Sequence, residues 1–236
     1  LLLAAVLSAG GFDFPEEAGV EVEALFFSGF LYLAYPQALC VLASLLYGAS
    51  LLAGEIEDKT LVYLFTRAMP RWQVLLGKYL ATAAALTVLS LASMTVAWVL
   101  CGAPIGSRLW LALAAGTAFG CFTFTAIFCL LGLLVPRRAI PVGLLYVLIV
   151  EFLLSSVPAL VNELTASYYI RSLTWHVADV PLPAEAAREF EREVAPFIAG
   201  VSAPTAALAL GLITLATLAL SALVIHKKQW PLTEGV

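Results

Sequence analysis

Five stretches of this chain run on without the polar interruptions that a water-facing surface requires. Residues 24–53, 79–101, 109–135 and 203–225 contain no Asp, Glu, Lys or Arg, and residues 139–160 contain a single one, Glu151. Each stretch supplies the ~20 apolar residues that cross a bilayer as a helix. Inside a membrane every backbone polar group must find an internal partner, so only helices and closed barrels span it. A barrel strand alternates apolar and polar residues, whereas these runs are continuous and rich in Leu and Ala. The reading is an all-α membrane protein. A hydrophobic content of 62% and a mean hydropathy of +1.00 lie far from globular usage and agree with it.

The opening residues LLLAAVLSAG, with the residue after them (1–11), read as the tail of a first span that begins before the sequence given. That makes six transmembrane helices in a single domain covering residues 1–236. The 24–53 run is longer than a span needs, which predicts tilt and a kink at Pro36.

Charge sets the orientation. If segment 54–78, segment 136–138 and the tail from 226 share one side, that side holds Lys59, Arg67, Arg71, Lys78, Arg137, Arg138, Lys227 and Lys228. The other side keeps Arg108, Arg171, Arg188 and Arg192 among eleven acidic residues. Basic short loops stay in the cytoplasm, so both termini are expected inside. The net charge of −4 and the lack of a basic stripe exclude nucleic acid as a partner. Residues 161–202 form the one long external segment. Phe190, Val194 and Phe197 share a helix face there. Such a helix either lies on the outer membrane surface or packs on the outer ends of the spans.

Small chemistry-bearing residues are sparse. The cysteines (Cys40, Cys101, Cys121 and Cys129) form no C-x-x-C pair, and His176 and His226 are far apart, so neither a metal site nor a disulfide framework is indicated. Packing as small hydrophobes between helices is the expectation for the thiols. Gly116 and Gly120 in LAAGTAFG permit close helix approach, within one subunit or across a dimer. Glu151 interrupts its span near the middle, where an ionisable group faces the bundle interior or a cavity. It either lines a substrate path, pairs across a dimer, or makes an interhelical hydrogen bond. Gly77-Lys78 lacks the earlier glycine and the following Ser or Thr of a phosphate-binding loop, so ATP binding is not expected in this chain.

One segment breaks the pattern. GEIEDKTLVYLFTRAMPRWQVLLGK (54–78) holds Glu55, Glu57, Asp58, Lys59, Arg67, Arg71 and Lys78, a quarter of all charged residues in about a tenth of the length. The acidic trio suits the first turn of a separate helix. Leu61, Leu64 and Phe65 give that helix an apolar face. Pro70 breaks it and starts the next one, and Arg71, Trp72 and Lys78 return the chain to the interface.

This segment resembles the cytoplasmic element of ABC-2 type ABC transporter permeases. The family's acidic position is matched by Glu55, its threonine by Thr60, its leucine-rich turn by Leu61 and Leu64, its arginines by Arg67 and Arg71, and its lysine by Lys78. Lys59 stands where glycine is common and Ala68 where proline is common, with Pro70 able to supply the break. The resemblance implies that Glu55, Thr60, Leu64, Arg67, Pro70, Arg71 and Lys78 dock and couple an ABC ATPase subunit. It also implies that ATP and Mg are bound by that partner rather than by this chain, and that permeases pair as homodimers or heterodimers in a bacterial or archaeal plasma membrane. The cargo is not readable, although the apolar span faces suit a lipid-like or amphipathic one. Two other readings stand beside it: an ATP-independent channel or secondary transporter, and a membrane enzyme using Glu151 with His176 or Asp179.

Overall fold

A computed structural model describes residues 29–57, 71–100, 107–156, 160–178 and 200–227. The described residues are helical, with no strand among them. Helix α1 (Cys40–Glu57) is led in by a π-helical segment, Leu33–Leu39. It is followed by α2 (Arg71–Leu100), α3 (Ser107–Leu134), α4 (Ala139–Tyr146), α5 (Ala166–Ala178) and α6 (Ala203–Lys227). Short 3-10 turns cover Pro136–Arg138, Leu154–Ser156 and Leu160–Leu164, and a second π segment, Val147–Leu153, extends α4.

Four of these helices are long and apolar enough to cross a membrane: Gly29–Ile56, Trp72–Leu100, Ser107–Leu134 and Ala203–Lys227. The fifth expected run, 139–160, is helical from Ala139 to Ser156 but changes from α to π to 3-10 on the way. The expected first span (1–11) and the amphipathic face carried by Phe190, Val194 and Phe197 lie outside the described residues.

The centre of the bundle is α3, which packs against α1, α2, α4, α5 and α6. Two thirds of its apolar window is buried (67%), against 22% for α6, so α3 is the post and α6 a peripheral helix. Small side chains let the neighbours come close. A Cβ on Gly132 would overlap the Ala49 carbonyl oxygen of α1, and one on Gly48 would stand 3.1 Å from the Thr125 carbonyl oxygen of α3. One turn before Gly48 the Thr125 hydroxyl donates to Ser44 Oγ at 3.1 Å. On another face, Gly116 and Gly120 receive Thr174 and Ile170 of α5. Both glycines thus pack inside the chain. Phe124 and Phe128 stack in the main core with Leu45, Ile170 and Leu210.

The ends of four helices converge. Leu52 near the end of α1, Leu75 at the start of α2, Cys129 and Leu133 near the end of α3, and Ile225 near the end of α6 form one buried cluster. The Pro136–Arg138 turn packs against α1 and α3 close by.

Two findings differ from the sequence reading. The acidic residues Glu55 and Glu57 do not open a separate helix; they lie in the last turn of α1, which continues the apolar run without a break. No Gly or Pro signal stands between Ala53 and Glu57 strong enough to end it, since Gly54 alone is tolerated in a helix. Second, residues 166–178, expected to be part of a long loop, form a buried helix lying along α3. Ala166, Ile170, Leu173 and Val177 fall on one α-helical face and enter the main core.

Candidate functional site

The charged segment between α1 and α2 is described at its two ends. Glu55 sits in the last turn of α1, where the helix dipole disfavours negative charge. Lys78, two turns into α2, answers it with a direct ion pair, both side chains being about a quarter to a third exposed. The pair ties the end of one span to the start of the next, immediately above the cluster of Leu52 and Leu75. Helix α2 opens at Arg71, the residue after Pro70. Thr60, Leu64, Arg67 and Pro70 lie outside the described residues, as does the side chain of Arg71.

The second constellation surrounds Glu151, buried at about 18 Å along its helix from Ala139. Ser167 donates its backbone N–H to Glu151 Oε2 at 2.9 Å, and Ala166 donates to Oε1 at 3.4 Å. These are the first N–H groups of α5, which have no acceptor within their own helix. Tyr168 N–H, the next, donates to Thr165 Oγ1 at 3.3 Å, the ordinary N-cap arrangement. A carboxylate from one helix therefore completes the cap of another, and its negative charge meets the positive end of the α5 dipole.

The opposite pole of the connection is held by Arg171. Its Nη2 donates to the Ser155 carbonyl oxygen at 2.8 Å and to Asn162 Oδ1 at 3.1 Å. Ser155 lies in the Leu154–Ser156 3-10 turn that follows the π segment. Glu151 and Arg171 thus cap reciprocally: an acid from the first helix on the start of α5, and a base from α5 on the end of the first helix. Ser155 Oγ further donates to the Glu151 carbonyl oxygen.

The π segment explains how Tyr146 joins. Its hydroxyl donates to Glu151 Oε1 at 2.9 Å, five residues along. In an α-helix, positions five apart point in different directions; in a π turn, where hydrogen bonds run from i+5 to i, they stand one above the other. Gln37 Nε2 donates to Tyr32 Oη at 2.8 Å in the other π segment by the same spacing. There the cause is local. Pro36 has no N–H to continue the α ladder, and Cys40 N–H reaches back to the Tyr35 carbonyl oxygen.

Of the three readings of Glu151, the interhelical hydrogen bond is the one these contacts describe. Sequence reasoning gave Arg171, Asn162 and Thr165 no role in this connection. The signal was the spacing of Ala166, Ile170, Leu173 and Val177. His176 bonds to the Ser172 carbonyl oxygen at 2.8 Å and lies about 15 Å along α5 from the end that Glu151 caps, so this acid and this histidine do not meet. Asp179 lies outside the described residues. Among the described residues, no group of three or more His, Cys, Asp or Glu stands together to hold a metal ion.

A bundle of long apolar helices around a buried post, with charge confined to helix ends and one buried polar connection, defines an integral membrane protein. Its family follows from sequence comparison: residues 2–230 match the model of the ABC-2 family transporter proteins, and the chain belongs to that family. It is accordingly a membrane component of an ABC transporter, and not itself the ATPase. Permeases of this family generally work with an ABC ATPase subunit. No individual curated protein and no solved structure matches the chain.

Proposed function

We propose that this chain is the permease of an ATP-driven transporter whose segment 54–78 receives the motion of a separate ATPase subunit. The helix ends gathered around Leu52, Leu75, Leu133 and Ile225 are then the cytoplasmic end, in keeping with the basic residues of segments 54–78 and 136–138 and of the tail. ATP and Mg are held by the partner. Two permeases, alike or different, pair in the plasma membrane and shift between inward- and outward-open forms as the ATPases close. The lipid-facing apolar surfaces suit a lipid-like or amphipathic cargo.

The observation that carries the coupling role is the Glu55–Lys78 ion pair. A loop passes on displacement only if its base is stiff, and this pair braces the base across two spans. Within the reading, Thr60, Leu64, Arg67, Pro70 and Arg71 supply the docking face and Glu55 with Lys78 the stem.

Charge exchange tests it. Glu55→Lys and Lys78→Glu are each expected to lower ATP-driven transport by at least about fivefold, the lower end of ordinary coupling energies. The double exchange should restore most of it. Co-purification of the ATPase and its basal hydrolysis should survive, because the docking face is untouched. Normal transport in both single variants would remove the stem from the mechanism. Flux that follows an ion gradient with no ATPase associated would favour a secondary transporter.

A further inference from the structure

Two cysteines 81 positions apart meet in the bundle. Cys121 of α3 and Cys40, the first residue of α1, stand with their sulfurs 3.3 Å apart, and both are fully buried. Their surroundings are softly polar rather than purely apolar. Cys40 Sγ donates to the Thr117 carbonyl oxygen at 3.5 Å, and Ser90 Oγ of α2 lies 4.0 Å from Cys121 Sγ. Thr117 Oγ1 in turn faces Met94 Sδ at 3.9 Å. Gly120 keeps the approach open, since a Cβ there would only touch Cys40 Cβ, at 3.6 Å.

We infer that Cys40 and Cys121 are an oxidisable pair, a site where a disulfide joins the start of α1 to the middle of α3. A disulfide needs the sulfurs at about 2.0 Å, so they must approach by roughly a further 1.3 Å. The site provides for that displacement. Cys40 directly follows the Leu33–Leu39 π segment, where Pro36 interrupts the α ladder that would otherwise hold this end of α1 in register. The pair also lies one layer beneath the lipid-facing surface. It belongs to a small cluster with Leu86, covered by the half-buried Ala43 and flanked by the exposed Leu39 and Leu42.

The co-reactant that fits this location is an apolar two-electron acceptor of the quinone class. Two S–H bonds break and one S–S bond forms. The two electrons and two protons pass to the quinone, which leaves as the hydroquinone. The product closes an 81-residue loop and fixes α1 against α3, the pair of helices that also meets at Gly48 and Gly132. This inference is independent of any coupling role for segment 54–78.

The test uses the full chain in native membranes, treated with a fully substituted membrane-soluble benzoquinone. The cysteines are then counted by alkylation after denaturation. The expected result is a fall from four free thiols to two, with a peptide pair linked through Cys40 and Cys121 and an unfolding temperature that rises until reductant is added. Cys121→Ser should abolish the change. Cys129→Ser should leave it intact, because Cys129 lies about 12 Å further along α3 in a different cluster. Because a serine variant can lose oxidation by misfolding, Cys40→Ala/Cys121→Ala serves as a second check, with wild-type unfolding temperature before oxidant and no rise after it. Four thiols remaining after treatment of the native protein, or a linkage through Cys101 or Cys129, would overturn the assignment.

Discussion

Replacing Glu151 with leucine is expected to destabilise the folded protein by about 2–3 kcal/mol, and replacing it with glutamine by about 1 kcal/mol or less. The difference follows from what the carboxylate does. Leucine fills a similar volume but leaves the N–H groups of Ala166 and Ser167 and the Tyr146 hydroxyl without their acceptor. Ala166 and Ser167 are buried and Tyr146 is half-buried, so water does not fully replace the lost bonds. Glutamine keeps one acceptor oxygen and loses the charge, hence only the attraction to the α5 dipole and one bond. The estimate for leucine is held low because polar groups in a bilayer find other partners in the unfolded reference state. Thermal unfolding of the two variants in lipid nanodiscs reads the contrast. A leucine variant as stable as wild type would end the capping account. A glutamine variant that keeps its stability but loses transport would return Glu151 to the substrate path.

The second large effect is expected at Gly132. Alanine there should cost about 1–3 kcal/mol, because the added methyl meets the Ala49 carbonyl oxygen, part of a backbone that cannot rotate aside. Relief requires α1 and α3 to separate, which loosens Gly48 against Thr125 and the Thr125–Ser44 bond as well. The comparison is Gly211→Ala in α6. Nothing lies within 4 Å of that position, so the helix propensity of alanine should stabilise by up to about 1 kcal/mol. Opposite signs for two chemically identical substitutions are the result to look for in unfolding temperature. If both stabilise, the close crossing of α1 and α3 is wrong.

Neither effect follows from the one-dimensional pattern. Gly54, Gly77 and Gly211 look like Gly132 in sequence, yet only Gly132 is met by a neighbouring backbone. Glu151 was legible as an exception within its span, and an interhelical hydrogen bond was among its expected roles. Its partner was not legible, because the acceptor serves backbone N–H groups 15 and 16 residues further on, which any residue type would present. Glu55 and Lys78 stood out by charge, but their pairing depends on α1 continuing through Glu57 instead of ending before it. Arg171 fell in a segment expected to be a long loop, whereas Ala166, Ile170, Leu173 and Val177 give that segment an apolar helix face that packs it into the core.

The sequence by itself determined the class of this protein. Apolar runs of span length leave a helix as the one structure that satisfies their backbone in a membrane, and that argument is local to each run. It also determined where charge could lie, since few ionisable groups are tolerated within the runs. Tertiary structure alone decided which helix stands at the centre and that Glu151 and Arg171 cap one another's helices. It also decided that Cys40 meets Cys121. These are contacts between surfaces that look alike in sequence, all apolar and lined with small residues. In a bilayer the hydrophobic effect does not choose among them. The choice is made by close packing and hydrogen-bond geometry, which exist only once the helices are side by side.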